Sequence, residues 1–437
     1  MRAPFRRSVA AWIRNGWPSP PPLPLRRRGA DGLIPIDGAL SPSSTSGWAD
    51  RPVTLDLLRV GNQLERMGEH LRDSRDGRRA RLDLARAWFQ ASASSWQKLA
   101  DMARASGRTC AAPTEPLDTV HAAPPALPSY EVLASDGSSI EPDRHGLTIC
   151  ALINVGLVRL RYGDSPFAAL SNEPRLYFRP EELYVEQAGG RVLLQERLLD
   201  ARRSVAEMRA LGQLADEPST IDAPRVALAD GLLTIWRQDW AGAGADEVSD
   251  QLGQALDAIR GRGLPLAAYV SNPHGHLLID TLRMAARCQY GQSGCEVECS
   301  EVGCAFDGLI DLSLYDQLKP GDRSGLLQAA GRDADRHGEH NRSHFFYVHV
   351  GREVARVEVP RWVAEDNELI ERVHSVVVDQ ATRGQGYPVA LARAHEQAVI
   401  SGGDRRAFQQ LVAEALQRAG MSAGLSEKQA SKNLRAV

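Results

Sequence analysis

Apolar positions recur with two different periods along this chain, and the change of period divides it. From about Val53 to Ala105 the spacing is helical: Leu55, Leu58, Val60, Leu64 and Met67 form one stretch, and Leu82, Leu84, Ala87 and Phe89 begin a second. Thr109 to Pro128 is broken by Pro113, Pro116, Pro124, Pro125 and Pro128 and reads as a linker. Beyond it the pattern shortens. Tyr130 to Asp136 predicts a strand that ends in a turn over Asp136–Ser139. Leu147 to Leu160 predicts a second strand, and Arg175 to Val185 a third with a break at Pro180. Gly189-Gly190 then leads into a helix over about Leu194–Leu214. Arg225 to Asp230 is a short buried-type strand, Ala245 to Arg260 a helix, and Leu264 to Val270 a further strand.

Three consecutive strands followed by helix, strand, helix and strand predict an α/β fold. The early strands pair antiparallel, and the later ones, reached through helices, run parallel to the first. This is the order of a ribonuclease-H-like mixed sheet with flanking helices, here with helical N-terminal and C-terminal regions added. In such a sheet ligands lie at the carboxyl ends of neighbouring parallel strands. Asp136 and Asp230 both stand at such ends, each just before a glycine.

Length and composition change this picture little. A chain of 437 residues suggests two or three domains, and 43% hydrophobic with 24% charged residues is ordinary globular usage. The domains expected are a tail over 1–50, a helical region over 51–108, the linker over 109–128, and a main domain over 129–437. A formal charge of -3 excludes a protein that coats nucleic acid with a global basic field, so any such binding needs a local basic groove. No apolar run approaches the roughly 20 residues that span a bilayer. The Arg- and Pro-rich stretch Met1–Asp50 lacks the apolar core of a secretion signal and reads as a solvated, disordered tail. Six cysteines, four of them crowded between Cys288 and Cys304, are unlike a disulfide framework, and the expected compartment is cytoplasmic.

Two strand-end aspartates suit one kind of chemistry. Cleaving a phosphodiester needs a nucleophilic water and neutralisation of the leaving oxygen, and two divalent ions about 4 Å apart supply both. Mg²⁺ and Mn²⁺ are hard ions that prefer carboxylate oxygens. Taken singly, an Asp-Gly pair more often marks only a turn; two at topologically matched places argue for a site.

Particular stretches carry a resemblance. Ala134–Ile140, with Asp136, resembles the first motif of the NurA family, nucleases that act in DNA end processing, and Val226–Leu233, with Asp230, resembles the second aspartate motif. Ala268–Pro273 with Thr281–Arg283, then Phe345–Glu353 with Arg356–Glu358, and finally Gly386–His395 follow in the family's order. The resemblance covers about Tyr130 to the C-terminus. It implies that Asp136, Asp230 and a helix-borne glutamate hold Mn²⁺ or Mg²⁺, with Tyr387 and His395 completing the site. Glu207 is the glutamate chosen, with Glu196 in reserve. Leu198, Ala201, Val205 and Met208 form the apolar stripe of that helix, and Glu207 falls outside it, as a ligand at the edge of a packed face or as a solvated glutamate. His395 shares a helical face with Leu391 and Val399, where a hydrogen-bonded core histidine is the ordinary outcome; the resemblance makes it a ligand or proton carrier. The resemblance further implies a 5′-to-3′ exonuclease, with endonuclease action on single strands, working on linear DNA ends in double-strand-break repair. It also implies a homodimer and a HerA-type hexameric ATPase as partner.

Other features are less tied to that reading. Cys288, Cys295, Cys299 and Cys304 could hold Zn²⁺ or an iron–sulfur cluster, although their spacing is not that of a zinc ribbon and free thiols on a loop are the plain alternative. Arg342 and His344 flank Phe345-Phe346-Tyr347, a mixture suited to stacking a single strand but more often strand core. Lys428, Lys432 and Arg435 could touch phosphates or remain a solvated tail. The rival functions are a non-catalytic DNA-binding or scaffold subunit with the same fold, and a metal-dependent phosphatase.

Overall fold

The computed structural model describes residues 56–144, 146–187, 190–194, 196–217, 223–233, 244–287 and 306–421. The tail over 1–50, the four clustered cysteines, and Lys428, Lys432 and Arg435 lie outside the described residues.

In chain order the helices are α1 (Leu57–Ser92), α2 (Trp96–Ala105), α3 (Pro180–Leu183), α4 (Glu196–Leu214), α5 (Ala245–Gly261), α6 (Leu277–Arg287), α7 (Arg361–Ala364), α8 (Asn367–Arg383), α9 (Val389–Ala398) and α10 (Gly402–Arg418). The strands are β1 (Cys110–Pro113), β2 (Val120–His121), β3 (Tyr130–Ile140), β4 (Ala151–Tyr162), β5 (Phe167–Tyr177), β6 (Tyr184–Gln187), β7 (Gly190–Leu193), β8 (Arg225–Asp230), β9 (Leu266–Val270), β10 (Arg323–Ser324), β11 (Leu327–Ala330), β12 (Ser343–His349) and β13 (Val354–Pro360).

The chain falls into two compact units, Met1–Ala91 with Ala286–Leu309, and Ser92–Ala285 with Ile310–Val437. In the first, the two expected helical stretches are one continuous helix, α1, on which Leu57, Leu64, Met67 and Leu71 are each more than half exposed. The second unit holds an eleven-stranded mixed sheet in the order β1-β11-β12-β13-β9-β8-β3-β4-β5, with β10 and β2 attached beside β12.

The heart of the sheet is the predicted one. β3, β4 and β5 form an antiparallel meander, β8 lies parallel to β3 on its other side, and β9 lies parallel to β8. That is a ribonuclease-H-like order. Crossovers through α4 and α5 make it, because each helix must return across one face of the sheet before the next parallel strand begins. One face, with Leu133, Ala227, Ala229 and Leu266, packs under α4 and α5. The other, with Val132, Ala134, Val226, Leu228 and Tyr269, packs under α8 and α9. With both faces covered, β8 and β9 are apolar at almost every position rather than alternating. Among the described residues no helix is long and apolar enough to cross a membrane.

Several local expectations fail for tertiary reasons. Asp136–Ser139 is not a turn: β3 runs on to Ile140 because β4 pairs with it along its whole length, from Tyr130↔Tyr162 to Ile140↔Leu152. A continuous ladder of backbone hydrogen bonds overrides the turn preference of Asp-Gly-Ser-Ser. The third strand begins earlier, at Phe167, and Gly190 opens a hairpin strand, β7, ahead of α4. Thr109–Pro128, expected as a linker, instead supplies β1 and β2, which pair with β11 and β10.

Candidate active site

β3 and β8 pair in parallel up to Ser135↔Ala229, so the next residue on each strand is an aspartate, Asp136 and Asp230. Both continue the alternation of Val132/Ala134 and Val226/Leu228, so they point to the face of the sheet that α8 and α9 cover. There each meets a polar residue of the Gly386–His395 segment. His395 Nδ1 stands 2.7 Å from Asp136 Oδ2, while the Gly137 N–H donates to Asp136 Oδ1 at 2.7 Å. Tyr387 donates to Asp230 Oδ1 at 3.1 Å. Expected on an apolar stripe, the His395 side chain is instead 67% exposed; α9 buries Ala390, Leu391, Ala394 and Ala398 and turns His395 outward to the carboxylate.

α9 can hold His395 there because its backbone lies directly on the sheet. Gly156 is the residue of β4 opposite Asp136. A Cβ at Gly156 would collide with the Ala394 carbonyl and stand 2.6 Å from Ala398 N. Ser138 Oγ and Asn154 Nδ2 both donate to the Ala398 carbonyl, the latter at 2.9 Å, and so close the C-terminal turn of the helix onto β3 and β4. At its other end, Gln380 Oε1 accepts from Ala390 N at 3.0 Å.

Glu207 arrives from the opposite face. It lies on α4, is 6% exposed, and rests over Gly137, where a Cβ would collide with Glu207 Oε1 and come within 2.7 Å of Arg203 Cγ. A residue without a side chain thus lets the carboxylate lie directly against the strand. The expectation that Glu207 might be a solvated helix residue fails, because Val205, Glu207 and Met208 are all buried. Its reserve, Glu196, sits exposed at the first position of the same helix, far along it from the aspartates.

The electrostatics are those of a cluster short of positive charge. Burial pushes the Glu207 pKa up to about 7. Arg203, whose Nε is 3.3 Å from Glu207 Oε1, pulls it down, and the charges of Asp136, Asp230 and Asp200 push it up again. Asp230 is also raised, first by desolvation and then by Asp136, against the lowering effect of the Tyr387 hydroxyl and the Gly231 N–H. Desolvation and the neighbouring Asp230 carboxylate raise Tyr387 too, so the phenol keeps its proton and remains a donor. Among the described residues, no three His, Cys, Asp or Glu side chains are gathered closely enough to form a metal cage by themselves. Two carboxylates stand on one face of the sheet, and a third lies against the other, close enough for their charges to raise its pKa.

Sequence reasoning missed a carboxylate beside this group. Glu353, on the turn between β12 and β13, accepts from Tyr269 Oη at 3.0 Å, from Ser271 Oγ at 2.8 Å and from Asn272 N at 3.2 Å. It thereby holds the carboxyl end of β9, and the Tyr269 ring meets Tyr387 edge-on with centroids 5.4 Å apart. Only its place beside a quoted motif, at the end of Phe345–Glu353, could have drawn notice. The aromatic run Phe345-Phe346-Tyr347, by contrast, is fully buried strand core, and its flank Arg342 is ion-paired with Asp335, so it offers no stacking platform.

The sequence profile of the NurA domain matches residues 130–400, more than half of the chain. No curated protein matches. Among solved structures the chain is similar to the crystal structure of LC9-RNase H1, a type 1 RNase H with the type 2 active-site motif. That similarity has 14% identity over 39% of this chain and 76% of that one, with a TM-score of 0.20.

Proposed function

For a chain that belongs to the NurA family of nucleases, we propose that the centre around Asp136 and Asp230 is a divalent-metal-dependent active site that hydrolyses phosphodiester bonds of DNA. The observation that carries this reading is the register: two aspartates at the same step on adjacent parallel strands, just past the last pair of their ladder, with the buried Glu207 electrostatically coupled to both. The donor set fits Mn²⁺ or Mg²⁺, because the oxygens are carboxylate, no thiol is among them, and the mutual raising of carboxylate pKa values is relieved by a cation. Asp136, Asp230 and Glu207 would hold the metal, and His395 stands next to Asp136 as a further donor. Bound there, a divalent ion supplies Lewis-acid polarisation of the phosphate and a water of lowered pKa.

The chain's own groups do the rest. Tyr387 fixes one oxygen of Asp230. The Gly137 N–H and His395 divide the two oxygens of Asp136 between them. The exposed His395 ring, oriented through Nδ1, can carry a proton at its other nitrogen to or from the substrate.

The finer reading follows the family. The enzyme acts on linear ends and single strands, 5′ to 3′, in the resection of double-strand breaks. It works as a homodimer with a HerA-type hexameric ATPase, and in the cytoplasm. The exposed Leu57, Leu64, Met67 and Leu71, spaced by seven, three and four residues, are suited to self-association through α1. The deciding assay is degradation of end-labelled linear DNA with Mn²⁺, with and without EDTA. Shortening that needs Mn²⁺ and stops with EDTA is expected. Turnover of a nucleotide monoester with the DNA left intact would instead make the chain a phosphatase.

A further inference from the structure

From the contacts at the carboxyl end of β9, we infer that Glu353 is a positioning residue for the metal-binding carboxylates, acting through Tyr269 and Tyr387 on Asp230. The inference rests on the metal-site reading above.

Its basis is an unbroken path. Glu353 takes three donors from one short stretch: the Tyr269 hydroxyl at 3.0 Å, the Ser271 hydroxyl at 2.8 and 2.9 Å to its two oxygens, and the Asn272 N–H at 3.2 Å. Asn272 has a φ of 44°, a conformation that costs a non-glycine residue free energy and persists only when surrounding contacts impose it. Glu353 is the group that imposes it, since it binds both Asn272 N and the preceding hydroxyl. The Tyr269 ring, buried and pinned at its hydroxyl, stands edge-on to Tyr387, and the Tyr387 hydroxyl donates to Asp230 Oδ1. From the other direction, Tyr269 O accepts from Gly231 N at 3.0 Å, so the same residue also fixes the backbone just after Asp230. Asp230 is therefore oriented at its side chain by Tyr387 and at the backbone that follows it by Tyr269, and Tyr269, which packs on Tyr387, is held by Glu353. A carboxylate orienting a ligand through an intervening hydrogen-bonded group is a common way of tuning metal affinity, worth about ten- to a hundredfold.

The test is a double-mutant cycle read by Mn²⁺ binding, followed by electron paramagnetic resonance of the free ion, and by kcat on linear DNA. Glu353→Ala and Tyr387→Phe should each weaken Mn²⁺ binding about tenfold, and the double variant should be no weaker than the worse single one. Multiplying effects would overturn the inference, because Glu353 would then touch metal or DNA independently. Wild-type Mn²⁺ affinity and kcat in Glu353→Ala with a lowered melting temperature would overturn it too, leaving a purely structural clamp. Should Glu353→Ala fail to fold, Tyr269→Phe keeps the ring and removes only its donor, and the same outcomes decide. Binding is read without DNA, so a wild-type chain that takes up Mn²⁺ but leaves DNA intact removes only the substrate assignment. A wild-type chain that binds no Mn²⁺ overturns both readings.

Discussion

β3 carries an acidic residue at each end of its parallel pairing with β8, and the two are treated in opposite ways. At its start, Glu131 is fully buried, yet Arg159, Arg161 and Arg225 all reach it at 3.1 to 3.2 Å, and Arg159 also pairs with Glu217. Five positions on, Asp136 stands beside Asp230 and near Glu207, with Arg203 as the nearby guanidinium. At the first end, cations outnumber the buried anion; at the second, anions outnumber the cation. A buried charge kept for the fold must be compensated within the chain, because an uncompensated one costs several kcal/mol. A surplus of negative charge is relieved by protonation or by a bound cation, and the proposed metal would supply the second. Charge balance, more than burial, separates Glu131 from the acids of the proposed site.

The comparison predicts opposite consequences for the two ends. Asp136→Asn and Asp230→Asn should lower Mn²⁺-dependent DNA cleavage at least about a hundredfold, while the melting temperature stays level or rises as like-charge repulsion is relieved. A fall in stability with cleavage intact would erase the distinction. Glu131→Ala should do the reverse. It leaves three arginines facing one another and should cost roughly 3–5 kcal/mol in denaturant unfolding, with turnover per folded molecule unchanged.

Smaller changes sharpen the picture. Gly156→Ala drives a methyl into the α9 backbone, so about 1–3 kcal/mol of overpacking is expected. Cleavage should fall further than that instability explains, because His395 moves away from Asp136; a crystal structure of the variant would show whether the Nδ1 to Oδ2 contact is lost. The least effect belongs to groups at neither end. Burial holds the pKa of both His344 and His374 down to about 4, below the 6.5 of a free histidine. A base whose folded pKa is depressed stabilises the fold above 6.5, and that stability drains away as the pH falls toward 4. From pH 7 to 5.5 the loss is about 1 kcal/mol for each. It should be equal in wild type, Asp136→Asn and Glu131→Gln, and a different slope in one of them would tie a histidine to that end.

The sequence by itself determined the order of elements and singled out two of the candidate site residues. The short-period and helical stretches gave β3, β4, β8, β9, α4 and α5 nearly in place, because apolar periodicity reflects which face of each element is covered. Asp136 and Asp230 stood out for the same reason: each is the first acidic residue after a buried apolar run. Tertiary structure alone decided the rest. That Asp136 lies within a strand depends on the distant β4; that Glu207 is buried depends on the missing side chain of Gly137; that His395 faces outward depends on Gly156 letting α9 lie flat. The strands of 109–128 needed partners two hundred residues away. Glu353 has no signal of its own, since its role is a matter of which hydroxyls and N–H groups meet it. Local pattern encodes burial, whereas a site is made by contacts between residues far apart in the chain, and those exist only once the chain has folded.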